Sequence, residues 1–152
     1  ESVLASTDQN TVDFGIFAIE NAQGGVVIES IKALANYRCH IHSMFHIMVG
    51  QNLLVLPGVT ADTITSIHSH QQALRQCREY LSKNFWGCRL VEEEDTAKSA
   101  KQLKEGMLSE KSAVIANKSC AELYGLEIIA DNIHDLKNNL TLFIAITRYK
   151  DE

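Results

Sequence analysis

Cys39, His40, His42 and His46 form the densest group of potential metal ligands in the chain, and zinc or copper is the ion such a set would take. On a strand, His40, His42 and His46 share one face and Cys39 points the other way. The stretch lacks the second short pair that defines structural zinc sites, and Ser43, Met44 and Phe45 add no hard ligand. Partly exposed strand histidines are therefore the preferred reading, and no metal is expected. His68 and His70 also share a strand face, without a third ligand.

Ser69-His70-Gln71-Gln72 lies where a strand feeds directly into a helix, the place at which open α/β sheets hold their ligands. A helix start presents unpaired N–H groups and a positive dipole end, which favour a carboxylate or phosphate. An anion-holding turn is one reading of this spacing; an ordinary serine N-cap at Ser69 is the commoner one. Glu20-Asn21 follows a buried strand, so both side chains emerge at a sheet edge. There Asn21 either orients a ligand through its amide or simply forms an Asx turn. Glu92-Glu93-Glu94-Asp95 precedes a helix and is better explained by dipole complementarity and solvation than by acid–base work. No glycine-rich phosphate loop and no G-x-S-x-G elbow is present, which removes the commonest nucleotide-binding and hydrolase readings.

The elements that must position these residues alternate between strand-like apolar runs and amphipathic helices, the pattern of an α/β fold with largely parallel sheets under flanking helices. Strands are expected at Phe14 to Ile19, Ile64 to His68, Cys88 to Val91, Ala113 to Ala116, Glu127 to Ala130 and Thr141 to Tyr149. A long extended crossover runs from about His40 to Leu56, breaks near Gly50, and ends in the turn Pro57-Gly58. Helices are expected over Val27 to Ala35, from Ser69 through an apolar face of Ala73, Leu74, Cys77, Tyr80 and Leu81, from Asp95 or Thr96 onward burying Ala97, Ala100 and Leu103, and over Ser119 to Tyr124 before Gly125. No internal repeat or low-complexity segment interrupts this order.

The chain has 152 residues, 45% of them apolar and 22% charged, enough to bury a core as one domain or two small lobes. The formal charge of -5 is spread along the sequence, which argues against nucleic-acid binding, since that needs a clustered basic face. No run reaches the ~18 apolar residues of a membrane span, and no basic-then-apolar leader opens the chain, so no membrane partner is expected and a cytoplasmic location is the default. The four cysteines, Cys39, Cys77, Cys88 and Cys120, are scattered singly and read as reduced core residues. The start at Glu1, without methionine, reads as a fragment or trimmed chain.

Taken in order, these individually weak signals resemble the prephenate dehydratase family. Phe14-Gly15-Ile16, Ile19-Glu20-Asn21 and Gly25 are similar to its D-Y-G-V-V-P-I-E-N-S segment and following glycine, and Asn52-Leu53-Leu54 to the end of its crossover strand. Ser69-His70-Gln71-Gln72-Ala73-Leu74 with Gln76-Cys77 resembles S-H-P-Q-A-L-x-Q-C. Asp95-Thr96-Ala97 with Ala100, Ala113 to Ala116, and Ala121 to Leu126 resemble S-T-A-x-A-A, A-A-I-A and A-A-x-x-Y-G-L. Ile133-x-Asp135 and Asn139-x-Thr141-x-Phe143 complete the series, and the match covers nearly the whole chain.

The resemblance implies a two-lobed, type 2 periplasmic-binding-protein-like α/β fold with mixed, mostly parallel sheets and a cleft between lobes. Residues 1–46 and 137–152 would form the first lobe and 47–136 the second. It implies decarboxylative dehydration of prephenate to phenylpyruvate in phenylalanine biosynthesis, with no metal or organic cofactor. Thr141 would be the catalytic hydroxyl, with Asn21, Ser69, His70, Gln72, Gln76 and Asn139 as substrate contacts, and the assembly a homodimer or higher homo-oligomer. Four departures stand out: Leu142 stands where the family has the arginine of T-R-F, Ala22 replaces a serine, and Ala18 and Gln71 replace prolines. Met44 falls about where the family often has a glutamate. The family's opening G-P-x-G-T-F-S segment and the amino-acid-sensing ACT domain are not in the sequence. A small-carboxylate-binding module or regulatory pseudoenzyme is the alternative, favoured by Leu142, while Asn21, Ser69, Gln76 and Thr141 favour the enzyme.

Overall fold

The computed structural model describes residues 2–22 and 24–149. The chain divides into two compact units, Glu1–Val49 with Asn138–Glu152, and Gly50–Lys137.

The first unit contains α1 (Ser2–Asp8), β1 (Gly15–Asn21), β2 (Gly25–Val26), α2 (Ile28–Asn36), β3 (Cys39–Met48) and the last strand, Leu140–Arg148. Its four strands lie in the order β2, β1, last strand, β3, and every pairing is antiparallel. Ile144 and Ile146 point from the last strand into a core with Leu4 of α1 and Ala33 of α2. Helix α1 crosses β1 at Gly15, where a β-carbon would lie only 2.7 Å from Thr7 Oγ1 and 2.8 Å from Val3 Cγ1. Only a glycine admits that approach without displacement.

The second unit contains β4 (Asn52–Val55), β5 (Ser66–His70), α3 (Gln71–Gln76), α4 (Arg78–Asn84), β6 (Arg89–Glu93), α5 (Thr96–Lys104), β7 (Ser112–Ala116), α6 (Lys118–Tyr124) and β8 (Glu127–Ala130); the last strand of the chain is thus β9. The sheet order is β6-β5-β7-β4-β8, with β5 parallel to β6 and β7, and β4 antiparallel to β7 and β8. All residues of β4 and β7 are buried, because helices cover both faces. Leu53, Val55, Ile67, Ala113 and Ile115 pack with Ala73, Leu74 and Leu81 of α3 and α4. Leu54, Val114 and Ala116 turn the other way, toward Ala100 and Leu103 of α5 and Cys120 and Ala121 of α6. Each large apolar side chain so enclosed contributes about 1.5–3 kcal/mol relative to exposure.

The two-unit α/β fold expected from the sequence is present, but the sheets are not mostly parallel: the first is wholly antiparallel and the second mixed. Apolar runs report burial on two faces and carry no information on strand direction. The expected helix from Ser69 through Leu81 is two helices, broken at Cys77 with φ −110° and ψ 14°. The helix stop at Gly125 holds, with the glycine left-handed at φ 63° and its N–H returned to the Ala121 carbonyl.

Candidate functional site

In the first unit, antiparallel pairing sets Asn21 of β1 opposite Thr141 of β9. Directly opposed residues project from the same face, and the Asn21 Nδ2 donates to Thr141 Oγ1 at 2.7 Å. Asn21 Oδ1 also accepts the Gly24 N–H at 3.2 Å, so the Asx turn and the contact to Thr141 coexist in one side chain. Thr141 is buried, and Asn139, two positions earlier, is wholly enclosed. The backbone N–H of Val49 donates to the Asn139 carbonyl at 3.2 Å and Asn139 Nδ2 donates to the Val49 carbonyl at 3.3 Å. Asn139 Oδ1 is a buried acceptor with no hydrogen-bond partner among the described residues.

Leu142 sits opposite Glu20 on β1 and His46 on β3. Alternation along β9 places it on the face of Ile144 and Ile146, away from the face that carries Thr141. The histidines of β3 do not share a face as expected. A register shift between Ile41 and Ser43 leaves His40 opposite Thr147 and His46 opposite Leu142, so the bulge at His42 sends His40 and His46 to opposite sides. His40 instead stacks on Tyr149 and His42 meets the edge of Phe14. Among the described residues, no group of three or more His, Cys, Asp or Glu side chains is placed to hold a metal ion.

In the second unit, Ser69 is not the N-cap. It is the fourth residue of β5, fully buried, and its hydroxyl donates to the Ile115 carbonyl at 2.7 Å across the sheet. The cap is His70, whose Nδ1 accepts the Gln72 N–H at 3.1 Å. That bond occupies one of the N–H groups the anion-holding reading left open. The His70 and Gln72 side chains are exposed, whereas Gln76, at the end of α3, is buried.

Gln76 joins a buried polar network that the motifs did not reveal. Gln51 Nε2 donates to Gln76 Oε1 at 3.1 Å, while the Gln51 N–H donates to His134 Nδ1 at 3.4 Å. The Asp135 N–H donates to the Gln76 carbonyl at 2.7 Å. The Asp135 carboxylate accepts the N–H groups of Glu79 and Tyr80 at 3.1 and 3.4 Å, satisfying the start of α4. The only sequence signal for His134 was its place inside Ile133-x-Asp135; Gln51 had none, because its partner is remote in sequence. Beside Gln76, burial, with Asp135 adding to it, pushes the Cys77 thiol up to about 12, so this cysteine is no nucleophile at neutral pH. The acidic run behaves as expected: Asp95 caps α5 by accepting the Lys98 N–H at 2.8 Å, and Glu94 pairs with Lys98.

The prephenate dehydratase family model matches residues 1–151. The chain belongs to that family. It is 34% identical over 97% of its length to an arogenate dehydratase/prephenate dehydratase from Arabidopsis thaliana, of which it covers 37%. Among solved structures, the prephenate dehydratase of Arthrobacter aurescens in complex with L-Phe is similar at TM-score 0.83 and 26% identity, with 97% of this chain and 49% of that one covered. A protein described as a novel type of quorum-quenching acylase is similar at TM-score 0.81 and 28% identity, with 99% of this chain and 54% of that one covered. The chain spans about a third of the length of the curated relatives it matches. No described helix is long and apolar enough to cross a membrane.

Proposed function

We propose that this chain takes part in the decarboxylative dehydration of prephenate to phenylpyruvate, the aromatising step of phenylalanine biosynthesis, with Thr141 as the proton donor. The reading is supported by one observation above all, the 2.7 Å hydrogen bond from Asn21 Nδ2 to Thr141 Oγ1. Because Oγ1 accepts the amide proton, its own O–H is left to donate elsewhere, and the amide stabilises negative charge developing on that oxygen. In the reaction the ring carboxylate departs as carbon dioxide, its electron pair aromatises the ring, and the C–O bond at the opposite position breaks. The hydroxyl then leaves as water with a proton supplied by Thr141, which regains one from solvent, a role worth about 10²–10⁴ in rate.

Asn21 orients that hydroxyl. Asn139, whose Oδ1 has no partner among the described residues, and Gln76, His70 and Gln72 are the groups assigned to the substrate's polar atoms. Ser69 belongs with them as a support, since its hydroxyl is already given to Ile115. A homodimer or larger homo-oligomer and a cytoplasmic location complete the proposal; the four free thiols fit a reducing compartment.

The test is phenylpyruvate formation from prephenate by the wild-type protein and by Thr141→Ala. Turnover in the parent and a loss of about 100-fold or more in kcat are expected for a general acid. Activity surviving Thr141→Ala removes the threonine from the mechanism, and prephenate binding without turnover in the parent leaves a binding module. Arogenate, which carries an amine where prephenate has a ketone and which the Arabidopsis relative's name includes, is assayed beside it.

A further inference from the structure

A second chemical constellation lies wholly within the Gly50–Lys137 unit, on the α5-covered face of its sheet. His68 of β5 places Nδ1 3.0 Å from Glu93 Oε1 and Nε2 3.1 Å from the hydroxyl of Ser66. Ser66 Oγ lies 3.0 Å from Ser112 Oγ on β7. Parallel register builds this arrangement: Ser66 and His68 are two apart on one strand, with Ser112 paired to Ser66 and Glu93 paired to the adjoining His70. Ser66, His68 and Ser112 are buried, yet Ser66, His68 and Ser112 line a cavity of about 460 Å³ together with Arg89, Met107 and Leu108. That volume suits a small ligand.

A carboxylate only accepts, so His68 Nδ1–H donates to Glu93. In the neutral imidazole the Nε2 lone pair is then free to accept the Ser66 O–H, with Ser66 Oγ accepting in turn from Ser112. A hydroxyl held by an imidazole whose other nitrogen is fixed by a carboxylate is an activated nucleophile, recognised by geometry and not by sequence motif. No G-x-S-x-G motif marks it, because this serine lies within a strand and not on a strand-to-helix elbow.

We propose that Ser66, His68 and Glu93 form an acyl-transfer site that hydrolyses carboxylic esters of short aliphatic acids. Ser66 Oγ attacks the ester carbonyl carbon as its proton passes to His68 Nε2. The carbon–oxygen bond to the alcohol breaks, and the alcohol leaves with that proton. Water then attacks the Ser66 ester, giving its proton to Nε2, and the carboxylic acid departs as Ser66 recovers its hydrogen. One water is consumed and no electrons change hands. Met107 and Leu108 supply the apolar wall for the acyl chain, and Arg89 a positive charge beside the developing oxyanion. Glu93 is the positioning residue, holding the imidazole in the tautomer that accepts at Nε2.

The experiment treats the purified protein with p-nitrophenyl butyrate and, separately, with a fluorophosphonate. One phosphonyl adduct per chain is expected, mapped to Ser66, with ester hydrolysis above buffer. Both are lost in Ser66→Ala, a change of one buried oxygen whose folding is verified by thermal unfolding. Glu93→Gln is expected to lower the maximal rate of adduct formation at least tenfold while leaving the half-saturating concentration of probe within about twofold, which lost packing alone would not do. No adduct on the folded wild-type protein, an adduct at another residue that persists in Ser66→Ala, or an unchanged maximal rate in Glu93→Gln overturns the proposal and leaves the cluster a buried hydrogen-bond network.

Discussion

Asn21 Nδ2 and Thr141 Oγ1 lie 2.7 Å apart across neighbouring antiparallel strands although they are separated by 120 positions in the chain. The bond joins two residues to which the family resemblance gives a substrate-contacting and a catalytic role. Asn21→Ala is therefore expected to lower kcat for prephenate by about 10-fold or more and to leave KM nearly unchanged, because the hydroxyl loses its orientation while the other polar groups remain. In a double-mutant cycle with Thr141→Ala the losses should fall well short of additive; additive losses in steady-state kinetics would separate the two residues.

The departure at Leu142 is expected to matter less than its place beside Thr141 implies. Its side chain leaves the sheet on the Ile144 and Ile146 face, with Glu20 directly opposite. Leu142→Arg should place a guanidinium within reach of that carboxylate, add at most about 1 kcal/mol to stability, and change kcat/KM by less than about tenfold, or 1.4 kcal/mol. Larger gains in turnover would show that an arginine here acts on substrate.

The Gln51–Gln76 amide pair is buried, so truncating one member strands its partner. Gln51→Ala and Gln76→Ala should each cost about 1–3 kcal/mol, and the double variant should lose less than the sum. Urea denaturation with an unchanged m-value would read these differences.

Burial raises the Cys77 thiol from 9.0 to about 12, and the sign of the pH effect follows. Between these values the unfolded chain has lost a proton that the folded chain keeps, so stability falls as pH rises, by up to about 1.4 kcal/mol per unit. The contribution is whole below about pH 9 and is lost through about pH 12. Chemical denaturation from pH 8 to 10.5 should show the decline, and Cys77 should resist a thiol reagent at pH 8 until the protein unfolds.

Gly125 ends α6 at φ 63° with no crowding closer than Lys104 Nζ at 3.7 Å. Gly125→Ala is therefore a test of backbone conformation alone, expected to cost about 1 kcal/mol through the left-handed penalty. A thermal shift near zero would mean that the helix end relaxes to another conformation.

Local chemistry made much of this protein legible from its sequence. Capping by Asp95, the stop at Gly125, the buried run Ala113 to Ala116, the turn at Pro57-Gly58 and the ordered motifs of the family each depend on residues close in the chain, where side-chain type and spacing suffice. Three things depended on contacts between distant segments. Strand direction was one, because an apolar run looks the same in parallel and antiparallel sheets. The histidines of β3 were another, since a single bulge at His42 reverses the alternation that spacing predicts. The third was the partner of each polar group: Ser69 faces Ile115 instead of capping a helix, Gln76 meets Gln51, and Ser66 and His68 meet Ser112 and Glu93 only because β5 is laid between β6 and β7. Spacing along the chain states which groups are present; strand register, set by burial of both sheet faces, decides which of them touch.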